Sequence, residues 1–361
     1  MAATVGGITL LVPFPTSTPA KRTTRMMLGR KSDSSSSSSS NGVSPVKANG
    51  VGTILKMATE KQWKLLDRRE REDDQHVMIG DPFGLGEVVK DMRIFCENFT
   101  IRSYDMGPNR TASIETLMNL LQETALNNIK NMGILKDGLG STPEMSGRSL
   151  IWVLSKMHVV VDHYPSWGDD VQVDNWLIPS NKNGQGTEWI IRDSQTCRTL
   201  TRATSVFVMM NKKTRKLSKM PEEVKREMET HYIDYLPTPI ADEDSNRIVK
   251  FDYNNMDYVR TGLTPRWSDL DANQHVNNVK YIGLMLESVP ISILEGHEIS
   301  EVNVEYRREC GMDDALQSLT SVCSQEASAG GGGAGHHECL HLLRSENGAV
   351  VARGRTKWRP K

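Results

Sequence analysis

Two stretches of this 361-residue chain place apolar residues at helical spacing, and each is followed by runs with the alternation or β-branched content of strands. The helical patterns cover residues 114–129 and 276–289, and the second ends at Pro290. The strand-like runs are Ile151–Val161, Asp170–Ile178, Glu188–Arg192 and Thr201–Met210 after the first helix, and Ile299–Tyr306, Ala315–Val322, Cys339–Arg344 and Val350–Trp358 after the second. A hydrophobic helix followed by consecutive antiparallel strands, made twice, predicts an α+β architecture in which each sheet wraps its own helix. We expect edge strands of the two units to pair into one continuous sheet, because pairing covers edges that would otherwise be exposed.

The two units also resemble each other in sequence. Residues 102–111 align with residues 266–275 at an offset of 164 positions, and both segments run directly into the helical pattern. The alignment matches Arg102, Asp105 and Asn109 with Arg266, Asp269 and Asn273. This internal repeat predicts a duplicated unit, with chance similarity between two unrelated α+β domains as the alternative.

The length of the chain suits two domains. The predicted organisation is a leader over residues 1–59, a linker over 60–94, a first unit over 95–225, an inter-domain linker over 226–258 and a second unit over 259–361. The inter-domain linker is placed where the chain is charged and low in apolar residues.

The second unit carries reactive residue types at positions where the first unit is mostly inert. The pairs, with the second unit first, are Asp271 and Gly107, Asn273 and Asn109, His275 and Thr111, Glu309 and Pro165, and Cys310 and Ser166, the last two from an alignment of Asp314 with Asp170. Only the asparagine keeps its identity. This asymmetry predicts that the second copy holds a catalytic site and that the first copy is scaffold.

The residue types of the second unit suit hydrolysis of an acyl group without a metal. His275 can orient or deprotonate water, Glu309 can act as a base, and Cys310 can act as a nucleophile if its thiolate is stabilised. The segment 271–275 is expected at a helix N-terminus, where free N–H groups favour a developing oxyanion. Helix capping with an ordinary polar contact is the alternative interpretation of this segment.

Composition and charge indicate the cellular compartment of the protein and argue against nucleic acid as a partner. Up to Thr59 the chain has seven basic residues and one acidic residue, Asp33, and it includes the serine run Ser34–Ser40. This composition is typical of an organellar transit peptide, and the dominance of Ser and Thr favours a plastid; an ordinary disordered N-terminus is the alternative. The formal net charge of −1 argues against a dedicated nucleic-acid-binding protein. The five cysteines show no C-x-x-C spacing, which indicates neither a disulfide framework nor a structural zinc site. We expect no metal and no cofactor.

Two motifs carry a resemblance to a known family. Residues 267–283 and 305–310 resemble the corresponding motifs of plant acyl-acyl-carrier-protein thioesterases, in particular the type B class that acts mainly on saturated chains. The similarity extends through residues 109–118, 121–125, 164–168 and 208–211 and covers about Phe95 to Lys361. The resemblance implies a double hot-dog fold, a location in the plastid stroma and hydrolysis of fatty acyl thioesters of acyl carrier protein.

The resemblance also implies site residues, with two mechanisms left open. Asp271, Asn273, His275 and Glu309 match the residues of a water-based mechanism, whereas Asn273, His275 and Cys310 match a papain-like mechanism. The water-based mechanism is favoured because a carboxylate beside Cys310 should raise the pKa of its thiol. By analogy with the fold, Met118, Leu121 and Ala125 would line the acyl tunnel; on spacing alone they are core residues.

Partners follow from the same resemblance. The basic residues Lys212, Lys213, Arg215 and Lys216 are candidates for docking the acidic carrier protein, with a solvated surface as the alternative. Residues 51–59 are too short and too polar for the apolar segment usual in type B proteins, so we expect no stable membrane anchor. A catalytically silent acyl-binding hot-dog protein is the alternative function. The sequence leaves the acyl chain length and the oligomeric state, including a homodimer, open.

Overall fold

The structure is a computed structural model that describes residues 78–79, 86–89, 93–135, 140–180, 184–233, 236, 238–240, 256–324 and 335–361. The predicted leader, residues 1–59, lies outside the described residues, as does most of the predicted linker 60–94. Among the described residues no helix is long and apolar enough to cross a membrane.

The described elements are one long helix, several short helices and twelve strands. In chain order they are β1 (Met78–Ile79), β2 (Glu87–Val89), β3 (Ile94–Thr100), α1 (Ile114–Asn131), α2 (Pro143–Ser146), β4 (Leu150–Val161), β5 (Asp170–Pro179), β6 (Gly184–Asp193), β7 (Thr199–Asn211), α3 (Glu222–Glu229), β8 (Tyr258–Leu263), α4 (Lys280–Leu286), α5 (Ile291–Gly296), β9 (His297–Tyr306), β10 (Leu316–Ser324), β11 (His337–Ser345) and β12 (Val350–Pro360). Each of the eight predicted strand runs therefore forms a strand.

The described strands form a single sheet in the order β1-β2-β3-β5-β6-β7-β4-β9-β12-β11-β10-β8, and neighbouring strands are antiparallel. The two units join where β4 pairs with β9, from Lys156 opposite Glu305 to Val160 opposite Glu301. This pairing confirms the continuous sheet predicted from the two sets of edge strands. The short strands β1 and β2 extend the sheet, although the sequence placed them in a linker.

A cluster of charged side chains lies at the junction of the two units. Glu301 contacts His158 Nε2 at 3.1 Å, Arg355 Nη2 at 3.2 Å and Lys357 Nζ at 2.9 Å. Burial alone would raise the pKa of Glu301, but the hydrogen bonds from His158 and Lys357, together with their charges, lower it to about 2. The ionised carboxylate therefore links β4, β9 and β12 at the junction.

The helix of the first unit follows its sequence pattern closely. Ser113 caps α1 by accepting a hydrogen bond from the Thr116 N–H at 3.0 Å. Leu117 and Leu121 are fully buried against the sheet, where each side chain contributes about 2 kcal/mol through the hydrophobic effect. Helix α1 is therefore held mainly by its buried apolar face.

The second unit does not contain the continuous helix predicted over 276–289. Helix α4 begins only at Lys280 and ends at Leu286, and α5 begins after Pro290. The preceding residues are held by other partners, since Val276 N–H donates to the Cys310 carbonyl at 2.9 Å and Asn277 N–H donates to the Asp269 carbonyl at 2.8 Å. Val276 thus fits the apolar pattern because its side chain is buried, although the residue is not helical.

The repeat is visible in matching hydrogen bonds. Arg102 N–H donates to the Asp105 carboxylate at 2.8 Å, and Arg266 N–H donates to the Asp269 carboxylate at 2.7 Å. At the equivalent turn positions, φ is 63° for Arg110 and 64° for Gln274. The predicted offset of 164 positions is therefore confirmed in three dimensions.

The second part of the repeat alignment was wrong by one residue. Ala112 N–H donates to the Pro165 carbonyl, and its counterpart Val276 donates to Cys310, so Pro165 is equivalent to Cys310. In the same way, the Ser166 N–H donates to Asp169 and the Gly311 N–H donates to Asp314. The counterparts of Glu309 and Cys310 are consequently Tyr164 and Pro165. The charged residues Asp169 and Asp170 are adjacent, which explains why the sequence alone favoured the wrong one.

Residues near the predicted inter-domain linker take part in packing. Helix α3 spans the proposed boundary at 225, and its Val224 and Met228 are buried in an apolar cluster with Met145 and Met209. The domain boundaries themselves stay predictions.

The interior of the second unit contains a chain of buried hydrogen bonds. Ser288 Oγ lies 2.7 Å from Thr320 Oγ1, which lies 3.0 Å from His341 Nδ1, and His341 Nε2 lies 2.8 Å from Thr356 Oγ1. Burial lowers the pKa of His341 to about 3, so the imidazole is neutral. The first unit instead has a cavity between α1 and its sheet, described below.

Candidate active site

The segment 271–275 forms a tight turn that is organised by one carboxylate. Asp271 Oδ1 accepts hydrogen bonds from the N–H groups of Asn273 at 2.8 Å and His275 at 3.1 Å, and the Asp271 N–H donates to the His275 carbonyl at 2.7 Å. Gln274 takes the left-handed conformation that closes the turn. Gly107, at the equivalent place in the first unit, has no side chain that could do this. The first unit closes the same turn without a carboxylate, since the Gly107 N–H donates to the Thr111 carbonyl at 2.8 Å, so Asp271 adds side-chain hydrogen bonds to a turn that the backbone already forms.

The expected helix N-terminus is not part of this site. Helix α4 begins at Lys280, five residues beyond His275, and has only seven residues. The N–H groups of Asn273 and His275 are already bound by Asp271. The prediction that a helix end holds the oxyanion is wrong, because the turn uses these donors for its own geometry.

His275 and Glu309 lie together at the surface of the second unit. His275 Nε2 is 3.5 Å from Glu309 Oε2, and the two side chains are 35% and 36% exposed. The structure thus brings together the imidazole and the carboxylate that the sequence selected, and it leaves both accessible to water and to a substrate.

A third charged residue, Arg215, reaches this pair from the first unit. Its guanidinium contacts both oxygens of Glu309, through Nη2 to Oε1 and through Nε to Oε2 at 3.1 Å. From the sequence, Arg215 is expected to dock the carrier together with Lys212, Lys213 and Lys216, which are exposed in the structure. The long separation along the chain between Arg215 and Glu309 left no local signal of their contact, so the sequence did not place Arg215 in the site.

Cys310 is adjacent to Glu309 along the chain but points elsewhere. Its side chain is 2% exposed, and its thiol donates a hydrogen bond to the Tyr281 hydroxyl at 3.4 Å. Burial raises the pKa of the thiol to about 11; the bond to Tyr281 lowers it somewhat, and the charge of Asp314 raises it further. The pKa of the Cys310 thiol is raised, as expected from the sequence, but the main cause is burial and not the neighbouring carboxylate of Glu309.

A cavity of about 900 Å³ extends from these residues into the first unit. Asp271, Asn273, His275, Glu309 and Arg215 lie on its wall, whereas Cys310 does not. The remainder of the wall is formed by one stripe of α1 and by the facing strands, including Met118, Gln122, Ala125, Ile129, Trp152 and Phe207. The cavity is thus polar where the second unit contributes and largely apolar where the first unit contributes, as an acyl chain attached to a reactive carbonyl requires.

Two of the three predicted tunnel residues lie on the cavity wall. Met118 and Ala125 contribute to it, but Leu121 is fully buried in the core. Residues lining the cavity are spaced as one helical stripe, and Leu121 lies on the stripe beside it that faces the sheet. The prediction for Leu121 was therefore wrong.

Comparison with known proteins gives two adjoining family matches. The family model described as the acyl-ACP thioesterase N-terminal domain matches residues 92–228, and the model for the C-terminal domain matches residues 252–360. A chloroplastic palmitoyl-acyl carrier protein thioesterase from Arabidopsis thaliana is 55% identical over 309 residues, which are 86% of this chain and 74% of that protein. A chloroplastic dodecanoyl-[acyl-carrier-protein] hydrolase from Cinnamomum camphora is 47% identical over 311 residues, or 86% of this chain and 78% of that protein.

Solved structures support the same architecture. The 12:0-ACP thioesterase from Umbellularia californica matches with a TM-score of 0.69 and 46% identity over 74% of this chain and 95% of that chain. An oleoyl thioesterase (putative) from Lactobacillus plantarum matches with a TM-score of 0.59 and 20% identity over 74% of this chain and 96% of that chain, a likeness of fold alone. The α+β double hot-dog fold expected from the sequence is confirmed.

Proposed function

The chain belongs to the acyl-ACP thioesterase family, and on this premise we propose that it hydrolyses fatty acyl thioesters of acyl carrier protein in plastids. The observation that carries the proposal is the position of Asn273, His275 and Glu309 where a largely apolar cavity of about 900 Å³ meets the surface. Relatives are named for palmitoyl and dodecanoyl substrates and are named chloroplastic, which supports saturated chains and a plastid location. Release of the acyl chain from its carrier would end its elongation.

The geometry supports attack by water. With the acyl chain in the cavity, the thioester carbonyl lies near Asn273, whose side-chain amide can donate a hydrogen bond to the developing oxyanion. Glu309, with His275 beside it, accepts a proton from water, and the water oxygen forms a bond to the carbonyl carbon. The carbon–sulfur bond then breaks, and the departing sulfur takes the proton from Glu309. The products are a free fatty acid and the carrier thiol, and the carboxylate is restored.

Cys310 is not the nucleophile in this proposal. A nucleophilic cysteine needs an accessible thiolate, whereas Cys310 is buried, has a raised pKa and is not on the cavity wall. Its thiol is also engaged with Tyr281. We therefore assign Cys310 to the packing beneath the site.

Docking of the carrier is assigned to the turn after β7. Lys212, Lys213 and Lys216 are exposed there, and Arg215 of the same turn lies on the cavity wall. An acidic carrier that approaches these lysines would bring its thioester close to the entrance of the cavity. Residues 60–361 have 37 basic and 44 acidic residues, so an acidic carrier needs a local basic surface for such an approach.

The test is to incubate the purified full chain with a series of acyl carrier proteins that carry saturated chains of different lengths, and to identify the released fatty acids. We expect hydrolysis by the native chain and a large loss of kcat in Glu309→Gln with an unchanged melting temperature. If the native chain binds these substrates without hydrolysing any of them, the silent acyl-binding alternative is correct.

A further inference from the structure

We propose that Arg215, contributed by the unit that lacks the catalytic turn, is a positioning residue that holds Glu309 in its reactive orientation. The inference rests on the proposed function, since it assigns a role within that reaction. It also differs from the docking role that the sequence suggested for Arg215, and the two roles predict different kinetics.

The contacts of Glu309 carry the proposal. Among the described residues its carboxylate forms ion pairs with Arg215 and His275 alone. The guanidinium meets both carboxylate oxygens, a planar two-point contact that fixes rotation as well as position. The distance of 3.5 Å to His275 Nε2 is longer than a normal hydrogen bond, so His275 alone does not hold the carboxylate in place.

The backbone that presents Arg215 is itself constrained. Asn211 Oδ1 accepts hydrogen bonds from the N–H groups of Lys213 at 3.0 Å and Thr214 at 2.9 Å. The Asn211 carbonyl accepts the Arg215 N–H at 2.9 Å, and the Asn211 N–H donates to the Lys216 carbonyl at 2.9 Å. Arg215 adopts a left-handed φ of 54°, which a non-glycine residue keeps only when its surroundings hold it. The turn therefore places the guanidinium before any substrate arrives.

A purely stabilising role does not account for this arrangement. Both side chains are 36% exposed, and ion pairs at this exposure add little to the stability of a fold. Loss of Arg215 should consequently leave the protein folded, and its effect should appear in catalysis. Lysine cannot replace the two-point contact, because an ammonium group is a single point of charge.

The experiment compares the full-length native chain with Arg215→Ala, Arg215→Lys and the control Arg148→Ala. Arg148 is a matched arginine, 37% exposed and paired with Glu144 and Glu223, and its side chain is not on the cavity wall. Each protein is tested with palmitoyl carrier protein and with palmitoyl coenzyme A, which has the same thiol arm but no carrier. We expect Arg215→Ala to lower kcat by about 10- to 100-fold on both substrates, because a displaced catalytic group loses this much, with KM nearly unchanged.

Further readouts separate positioning from a structural role. Arg215→Lys should recover only part of the lost kcat, guanidinium ion at millimolar concentration should partly restore Arg215→Ala, and Arg148→Ala should behave like the native chain. Arg215→Ala combined with Glu309→Gln should be no slower than Glu309→Gln alone.

Two outcomes would overturn the proposal. A higher KM for the carrier substrate alone, with kcat retained, would make Arg215 a docking residue. Unchanged kinetics in Arg215→Ala would show that Arg215 has no role in the reaction. If Arg215→Ala does not fold, the same criteria apply to Arg215→Lys. Inactivity of the native chain would instead refute the proposed function.

Discussion

Replacement of Cys310 by alanine gives a direct test of how the thioester is attacked. With a thiol pKa of about 11, only about one molecule in ten thousand carries a thiolate at pH 7. A thiolate mechanism would therefore show kcat rising roughly tenfold per pH unit from pH 7 to 10. The water mechanism uses no thiolate, so Cys310→Ala should retain kcat within about threefold and should lose about 1 kcal/mol of stability, as is typical of a small buried truncation.

The assay is steady-state hydrolysis of a palmitoyl thioester from pH 6 to 9, with folding checked by thermal melting. Cys339→Ala is the matched control, because Cys339 is also fully buried and burial raises its pKa to about 12, but it lies on β11 away from the cavity wall. Equal small effects in the two variants would support water as the nucleophile. Loss of activity in Cys310→Ala with an intact fold, together with a steep pH dependence in the native chain, would refute the assignment.

Two other predictions concern stability and docking. Glu301→Gln should lower the free energy of unfolding by about 3 kcal/mol at pH 7, since the folded pKa is about 2 against an ordinary 4.5. Because the pKa of Glu301 is lowered in the folded state, this stabilisation is present above pH 4.5 and is lost as the pH falls toward 2. Urea titrations of the native chain and Glu301→Gln should therefore give converging free energies of unfolding in acid. A difference that stays constant with pH would show that the ionised carboxylate is not its cause. Lys212→Glu with Lys213→Glu should raise KM for the carrier substrate several-fold and leave palmitoyl coenzyme A unaffected, and equal effects on both substrates would exclude docking at this turn.

Much of the fold could be predicted from the sequence because strand patterns and the repeat are local signals. The alternation in runs such as Val350–Trp358 matches β12, and the motif beginning at Arg266 shares its turn geometry with the one at Arg102. The start of the helix predicted over 276–289 was wrong, because Val276 is held by a partner that is distant along the chain and not by a helical turn. Its N–H is bound by the Cys310 carbonyl, and a pattern within one segment carries no information on such a partner.

The candidate site shows the same division between local and long-range information. His275 and Glu309 could be selected because they differ from their counterparts in the first unit. Asp271 accepts hydrogen bonds from backbone N–H groups within the same short segment, so this contact is also local. The sequence nevertheless predicted free N–H donors at the turn, because it did not show that Asp271 binds them. Arg215 was visible only as a basic residue, since its contact with Glu309 depends on how the two units pair through β4 and β9.

The pairing of the two units explains why a duplicated fold has a single composite site. The second unit contains a buried hydrogen-bonded chain from Ser288 to Thr356, whereas the cavity runs along α1 and the facing strands of the first unit. In the first unit the equivalent turn has the same backbone hydrogen bonds but carries Gly107 and Thr111 in place of Asp271 and His275. Each unit therefore lacks what the other supplies, the first providing the cavity and Arg215, and the second providing the turn and Glu309. It follows that the β4–β9 junction sets the position of Arg215 and of the cavity relative to the reacting groups, which all belong to the second unit.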